Sequence, residues 1–238
     1  MLTLACGVSF VLHRSFDFND KTSYLLDFLA SLFPILFIVL FIRSFVFEPF
    51  RIPSGSMIPT LLVGDFILVN KYKYGLRLPL TNKLIFENKY PRRGDVVVFQ
   101  FPENTKINYI KRVVGIPGDR VEYINKTLFI NGIQLSLEKF NDQDSSNTNL
   151  SNQMIYIENN GNKEYLILNS TNRGIDFGFN VPDDNYFVLG DNRDNSNDSR
   201  YWGTVHKNNL IGEAFMIWMY WNPQSEIKIF DRVGKDIE

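Results

Sequence analysis

The sequence predicts a mainly β protein that carries an N-terminal transmembrane helix and a small polar insertion. Three observations predict this fold class. One long apolar run lies near the N-terminus. The chain beyond residue 48 consists of short segments rich in Val, Ile, Phe and Tyr, separated by turn residues, and one stretch of it turns polar and asparagine-rich. The 238 residues suffice for one well-packed domain or two small ones.

The apolar run is long enough to cross a membrane. Residues 28–42 hold fifteen positions without a charge, and residues 24–47 are interrupted only by Asp27 and Arg43. At the rise of an α-helix the longer stretch spans about 36 Å, against a hydrocarbon core of roughly 30 Å. We therefore predict a membrane anchor over residues 24–47. A helical stripe of aromatic residues recurs every four positions, at Phe33, Phe37, Phe41 and Phe45.

Two other interpretations of this run are a buried core helix and a cleaved signal peptide. A retained anchor is favoured over a signal peptide because the run exceeds a typical h-region and is followed by FEPFRIPSGSM rather than by an A-x-A site. Residues 1–23 form an N-terminal tail with no structure assigned. Basic residues lie on both sides of the run, so the positive-inside rule gives no orientation.

Residues 48–137 and 181–238 are predicted to form one β domain. Segments of β-forming residues alternate there with turn sequences such as PRRGD, GIPGD and PDD. Residues 138–180 interrupt the pattern. Ten asparagines fall within residues 141–180, which predicts an exposed insertion with one hairpin around residues 154–168. The predicted strand segments are residues 66–72, 95–101, 108–114, 127–132, 185–191 and 213–221.

The composition excludes several classes of function. Twenty-five basic and 26 acidic residues give a net charge of -1, which offers no basic face for a nucleic-acid partner. The single cysteine, Cys6, excludes an intramolecular disulfide and any CxxC site. With only His13 and His206, a histidine-rich metal centre is excluded as well. The chemistry must therefore use Ser, Lys, Asp or Tyr.

The segment IPSGSMIPT, residues 52–60, is a candidate carrier of a nucleophile. Its two prolines restrict the backbone, and Gly55 lets the chain turn tightly between Ser54 and Ser56. A serine on such a rigid turn can have neighbouring N–H and O–H groups aimed at a developing oxyanion. A plain turn is the alternative interpretation, because Ser-Gly-Ser is common in turns.

The segment YIKRVVG, residues 109–115, places two adjacent cations on a predicted strand. Side chains alternate along a strand, so Lys111 and Arg112 face opposite ways, and both faces are apolar. We therefore expect at least one cation to lie against protein. Lysine, unlike arginine, loses its proton readily when it is desolvated. The alternative is that both cations extend to solvent.

The segment GDNRDNSNDSRYWG, residues 190–203, is almost entirely polar. Its alternating Asp and Asn resemble a calcium loop, but the EF-hand pattern fails because Ser196 stands where glycine is required and no Glu closes the loop. We therefore expect no metal here. A network of carboxylates, amides and guanidinium groups that supports a site is the favoured interpretation.

Other catalytic arrangements are disfavoured by position. A Ser-His-Asp triad would need His206, which lies in an ordinary turn, and a cysteine nucleophile would need Cys6, beyond the anchor. Residues 136–139 match the S-x-x-K pattern but lack the accompanying Lys-Thr-Gly and border the insertion. A serine activated by a neutral lysine is what remains.

Together these segments resemble the bacterial type I signal peptidases, membrane-bound endopeptidases with a Ser/Lys dyad. Four segments carry the resemblance, in the family's order and behind an N-terminal anchor: SGSMIPTLLVGD (54–65), RRGDVVVFQFP (92–102), YIKRVVGIPGD (109–119) and GDNRDNSNDSRYWG (190–203). The similarity covers roughly residues 45–135 and 181–222. It implies an antiparallel, barrel-like catalytic β domain.

The resemblance also implies roles for individual residues. Ser56 matches the nucleophile and Lys111 the general base. Ser54 matches the hydroxyl that joins the Ser56 backbone N–H in the oxyanion hole. Ser196 matches a serine that hydrogen-bonds the lysine. The supporting residues of the site would be Asp198 and Arg200, and the lining of shallow pockets for small substrate residues would be Ile52, Pro53, Met57, Leu61, Tyr109 and Ile110.

The function implied is removal of signal peptides from secretory preproteins after small residues, at A-x-A sites, through an acyl-enzyme and without metal or organic cofactor. The implied location is the bacterial inner membrane, in contact with lipid, with the catalytic domain on the periplasmic side. Some members of the family have a second spanning segment, but the sequence offers one convincing span, so we expect a single-pass protein. The alternatives are a membrane-tethered β-rich binding or adaptor module without catalysis and a self-cleaving repressor relative. The balanced charge argues against the latter, which would need a DNA-binding half.

Overall fold

The computed structural model describes residues 6–7, 20–77, 84–140, 153–170, 174 and 176–237. Helix α1 spans Asp20–Phe45. Its segment Phe28–Phe45 has a mean hydropathy of 2.3, is only 6% buried and is long and apolar enough to cross a membrane. The expected anchor at residues 24–47 thus corresponds to a helix that ends two residues earlier. Most of the predicted N-terminal tail, residues 1–23, lies outside the described residues.

The rest of the described chain is built from strands. In chain order they are β1 Phe47–Arg51, β2 Asp65–Asn70, β3 Leu76–Arg77, β4 Leu84–Phe86, β5 Val96–Phe101, β6 Asn104–Gly115, β7 Arg120–Ile124, β8 Thr127–Ile130, β9 Ile133–Gln134, β10 Ser136–Lys139, β11 Gln153–Asn159, β12 Glu164–Ser170, β13 Phe177–Asn180, β14 Asn185–Leu189, β15 Val205–His206 and β16 Leu210–Tyr220. One short helix, α2, spans Ser199–Trp202.

A seven-stranded sheet in the order β1-β2-β16-β5-β6-β14-β15 forms the centre of the β domain. Strands β2, β16, β5, β6 and β14 pair antiparallel in that order. Smaller sheets are formed by β13-β7-β8-β9, by β10-β11-β12 and by β3-β4. The predicted class, mainly β behind an N-terminal apolar helix, is confirmed, and each of the six predicted strand segments overlaps one strand.

Strand β6 changes character along its length, and this change positions the site. Its first residues, 104–108, are exposed, whereas residues 111–115 are buried on both faces. The buried half lies between β5, which pairs with it through Val96 and Val97, and β14. Since strands buried on both sides offer no wet face, Lys111 and Arg112 are both enclosed, at 4% and 0% exposure.

The expected hairpin in the insertion is present as β11 and β12, which pair over their full length. Strand β10, on the N-terminal side, pairs with β11. The composition predicted that the insertion is exposed, but part of it is buried. Tyr165 and Ile167 on one face of β12 and Leu168 on the other are buried, because the strand packs against the β domain rather than standing in solvent. Residues 141–152 lie outside the described part of the chain.

Candidate active site

The turn that carries Ser56 is held by apolar anchors on either side of it. Ile52, Met57 and Leu61 are buried in a core cluster with residues of β2, β5 and β16. Backbone bonds close the turn, with Leu61 N donating to Met57 O at 2.9 Å and Gly64 N to Ile52 O at 3.0 Å. Burial of these side chains leaves Ser56 at the surface, half-buried, on a backbone that is fixed from below.

Lys111 meets Ser56 from strand β6. Its Nζ lies 2.6 Å from Ser56 Oγ and donates a hydrogen bond to it. Burial lowers the pKa of Lys111 from its ordinary value of 10.5 to about 8, although the carboxylates of Asp198 and Asp191 act in the opposite direction. About a tenth of the lysine is therefore neutral at pH 7, which is the form that can accept a proton.

The polar segment after β14 packs directly onto the serine turn. Asn192 donates its backbone N–H to Ser56 O at 3.1 Å and its side-chain Nδ2 to Gly55 O at 3.0 Å. Gly190 leaves room for this contact, because a Cβ there would lie 2.4 Å from Ser56 O and 2.3 Å from Ser196 Oγ. The approach of the two segments thus requires glycine at residue 190.

Asp198 and Arg200 brace this segment from within. Arg200 donates Nε to Asp198 Oδ1 and Nη2 to Asp198 Oδ2, both at 2.8 Å. Asp198 is fully buried, accepts the backbone N–H of Gly190 at 3.0 Å and caps helix α2. Its charge is also the strongest influence that raises the pKa of Lys111 against burial.

Two further serines, Ser196 and Ser54, were expected to take part in the site. Ser196 is 8% exposed, and its Oγ has no hydrogen-bond partner among the described residues. The hydrogen bond to Lys111 that the resemblance implied is therefore not formed in this structure. Ser54 is exposed and borders the cavity that opens over Ser56.

A cavity of about 420 Å³ opens over Ser56 and Lys111. Of the six residues expected to line substrate pockets, Pro53, Tyr109 and Ile110 border it. The other three lie in the core instead: Ile52, Met57 and Leu61 are at most 2% exposed. Four residues that the sequence analysis did not single out complete the lining: Ile107, Asn108, Asn195 and Asn197.

The opposite face of β6 carries a second buried cation. Arg112 donates Nε and Nη2 to the two oxygens of Asp191 at 2.8 and 2.7 Å, and Nη1 to Gly94 O at 2.7 Å. Thr60 donates its hydroxyl to the same carboxylate at 2.5 Å. This pair joins β6, the polar segment and the serine turn. Asp191 belongs to the polar segment of residues 190–203, and nothing in the local sequence distinguishes it from the other aspartates there.

The carboxylates of the polar segment are engaged by cations. Asp191 pairs with Arg112, Asp194 with Lys126, and Asp198 with Arg200. Within the described ranges no group of three or more His, Cys, Asp or Glu side chains could hold a metal ion. The arrangement thus offers a hydroxyl, a desolvated amine and a supporting network of ion pairs.

Comparison with known proteins identifies the family of the chain. The sequence model of the family "Signal peptidase, peptidase S26" matches residues 25–221. A signal peptidase I from Pseudomonas fluorescens is 47% identical over 231 residues, covering 90% of this chain and 80% of that protein. A signal peptidase I from Buchnera aphidicola subsp. Acyrthosiphon pisum is 43% identical, covering 84% of this chain and 77% of that protein.

A crystal structure of a signal peptidase I from Enterococcus faecalis V583 is 34% identical, covering 52% of this chain and 97% of that chain, with a TM-score of 0.36. The assignment of the family rests on the sequence matches, which extend from the apolar helix to the end of β16. By the family model and by these relatives, the chain belongs to the signal peptidase family, peptidase S26, and is a membrane-associated serine peptidase.

Proposed function

We propose that this chain removes signal peptides from secretory preproteins after small residues, with Ser56 as the nucleophile and Lys111 as the general base. The observation that carries these roles is the 2.6 Å separation of Lys111 Nζ and Ser56 Oγ, with the lysine only 4% exposed. Hydrogen-bond reach between a nucleophile and a base of lowered pKa is what such catalysis requires.

The reaction follows from these groups in two stages. Neutral Lys111 takes the proton of Ser56 as Oγ attacks the scissile carbonyl, and it then gives that proton to the leaving amine. Water activated by Lys111 next hydrolyses the acyl-enzyme and frees Ser56. The oxyanion is held by the Ser54 hydroxyl and the Ser56 backbone N–H, and the loss of one such donor costs about 3–4 kcal/mol in comparable sites.

The substrate meets the site through the cavity over Ser56. Pro53, Tyr109 and Ile110 supply its apolar lining, which suits the small residues of an A-x-A sequence. Ile52, Met57 and Leu61 are buried beneath the cavity, where they fix the position of the serine turn and do not contact solvent. Asp198 and Arg200 act on the lysine through their charges, whereas Ser196 makes no hydrogen bond to it.

The apolar helix α1 is the basis for the proposed placement in a membrane. Helix α1 anchors the chain in the bacterial inner membrane as a single span, with the β domain on the periplasmic side and in contact with lipid. Secretory preproteins present their cleavage sites beside a hydrophobic segment, so an anchored peptidase meets them at the membrane surface. The balanced charge gives no support for a nucleic-acid partner.

Cleavage of a preprotein with an A-x-A site by the full-length, detergent-solubilised protein tests the proposal. We expect Ser56→Ala and Lys111→Met each to abolish cleavage. Matched controls come from the second Ser/Lys pattern of the chain: Ser136→Ala and Lys139→Met should cleave as the wild type does. Ser136 and Lys139 are exposed and three residues apart on β10, where side chains face opposite ways.

Each outcome discriminates. Unchanged turnover in Ser56→Ala or in Lys111→Met refutes the assigned dyad. Loss of cleavage in a control would indicate that Ser136 and Lys139 carry the reaction. Absence of cleavage by the wild type favours the tethered binding module that the sequence left open.

A further inference from the structure

The insertion hairpin contributes a buried carboxylate to the polar segment after β14. Glu158, on β11, is 1% exposed and accepts two bonds from the equally buried Arg193, from Nη1 at 2.8 Å and from Nη2 at 2.5 Å. Tyr165, across the hairpin on β12, donates its hydroxyl to the same carboxylate at 2.8 Å. Both charges of this pair are thus removed from water within the protein.

The hairpin also holds the polar segment by its backbone. Leu168 of β12 accepts the N–H of Arg193 at 3.0 Å and donates its own N–H to Asp191 O at 2.8 Å. Asn192, between these two contacts, makes the hydrogen bonds to Gly55 and Ser56 described above. A continuous path therefore leads from the hairpin, through Arg193 and Asn192, to the serine turn.

The charge of Glu158 matters because Arg193 cannot discharge. A guanidinium stays protonated when buried, and a buried charge that loses its partner must be relieved by movement toward water. Arg193 Nε has no hydrogen-bond partner within the described chain. The guanidinium therefore depends on the two bonds that Nη1 and Nη2 donate to Glu158. Movement of Arg193 would carry its neighbour Asn192 with it and loosen the serine turn.

We propose that Glu158 is a positioning residue for the peptidase reaction, which through Arg193 and Asn192 fixes the Ser56 turn at the height that Lys111 requires. The insertion is then a working part of the catalytic domain rather than a surface decoration. This inference rests on the proposed roles of Ser56 and Lys111, and Glu158 itself touches no reacting atom.

The test is steady-state cleavage of an A-x-A peptide by the full-length protein in detergent. Glu158→Gln keeps the shape and removes the charge. We expect kcat to fall about 10- to 100-fold, as for a reacting group misplaced by about 1 Å, with KM within about two-fold of the wild type. KM is spared because Tyr109 and Ile110 border the cavity from strand β6, outside the serine turn. Glu158→Asp restores the charge at a shorter reach, and its kcat should lie between the two.

Glu164→Gln is the matched control. Glu164 lies on the same hairpin, is exposed, and accepts a bond from Asn159 at 2.7 Å, so its loss should leave kcat and KM within about two-fold. Thermal midpoints are measured first, and all assays are run at a temperature at which each variant is folded. A role confined to stability then leaves kcat unchanged, and that result overturns the proposal.

A double-mutant cycle identifies the route. If Glu158 acts through Arg193, the double variant Glu158→Gln/Arg193→Met should lose no more activity than Arg193→Met alone; losses that multiply would overturn the route. Should Glu158→Gln fail to fold, Arg193→Met decides, since a wild-type kcat there overturns the proposed route through Arg193. Ser56→Ala in the same assay separates the levels: turnover by that variant refutes the proposed function, whereas its inactivity beside a fully active Glu158→Gln refutes the positioning role alone.

Discussion

Two adjacent cations on β6 share nearly the same burial and have opposite electrostatics. Arg112 is surrounded by acceptors: the two oxygens of Asp191, the carbonyl of Gly94, and the face of the Tyr165 ring 4.0 Å from its guanidinium carbon. Lys111, one residue earlier, makes its hydrogen bond to the Ser56 hydroxyl, and the nearby carboxylates act on it without direct contact.

The two pKa values follow from this difference. Burial opposes the charge of Arg112, but Asp191 outweighs burial and raises the pKa of the guanidinium above its ordinary value. Burial dominates at Lys111, where it lowers the pKa to about 8. Removal from water therefore does not by itself turn a cation into a base. Its pKa falls only when no carboxylate is directly paired with it. The alternation of one strand separates a structural cation from a chemical one.

The largest effect is expected when the cation at residue 111 is replaced by one that cannot lose its proton. Lys111→Arg preserves charge and approximate length, but a guanidinium does not act as a base near neutral pH. We expect kcat/KM for an A-x-A peptide to fall by about 10³-fold or more. Lys106→Arg, at an exposed position on the same strand, is the control and should be silent. Residual activity within ten-fold of wild type would contradict a proton-accepting role for Lys111.

The second test removes the cation from the other face. Arg112→Met leaves Asp191 buried without its partner, and breaking such a pair costs about 3–5 kcal/mol. The free energy of unfolding of the full-length protein, measured by denaturant titration in detergent, should fall by that amount. Arg120→Met, which removes the exposed pair with Glu122, should leave it unchanged within error. Equal stability in both variants would mean that Asp191 is satisfied without Arg112.

The same substitution at Lys111 should have the opposite sign. The pKa of Lys111 is lowered in the folded state, so the folded protein is penalised wherever the lysine is protonated. The fall from 10.5 to about 8 corresponds to about 3 kcal/mol, which Lys111→Met should recover in part as added stability.

The pH window of this gain follows from the two pKa values. The full gain is expected below pH 8, where the folded lysine is protonated. It should shrink as the pH rises from 8 to 10.5 and vanish well above 10.5, where the lysine is neutral in both states. Unfolding titrations of wild type and Lys111→Met at pH 7 and pH 10 measure both quantities. A gain that is the same at both pH values would exclude a desolvated ammonium as its cause.

The opposite orientation of Lys111 and Arg112 could be predicted from the sequence, because strand alternation is a local property. Enclosure of at least one cation could also be predicted, since both faces of the segment are apolar. The partners could not: Asp191 lies 79 residues from Arg112, and Asp194 and Asp198 belong to the same polar segment. Only the tertiary fold selects among the three carboxylates.

Apolar residues beside the serine show the same limit. Ile52, Met57 and Leu61 were expected to line the substrate pockets, but the structure places them in the core beneath the turn. An apolar side chain suits either place, and sequence spacing alone does not distinguish a floor from a lining. Glu158 was missed for a related reason, because an asparagine-rich composition says nothing about which single carboxylate is buried.

The smallest effect expected is a shift of the pH profile of activity. The direction of this shift tests whether the charges of Asp198 and Arg200 act on Lys111. The kcat/KM of the wild type should rise through an apparent pKa near 8, because the neutral amine is the active form. Asp198 favours the ammonium and Arg200 disfavours it. Asp198→Asn should therefore move the rise to lower pH, whereas Arg200→Gln, which leaves Asp198 without its pair, should move it to higher pH.

Both substitutions remove one half of the same ion pair, so a disturbance of packing alone would affect them alike. Profiles recorded on folded, full-length protein distinguish the two causes, because opposite shifts can arise only from the charges. Shifts in the same direction would attribute the effect to packing rather than to the two charges. A wild-type rise at pH 10 or above would show that Lys111 titrates as a solvated lysine and that the contrast with Arg112 has no chemical consequence.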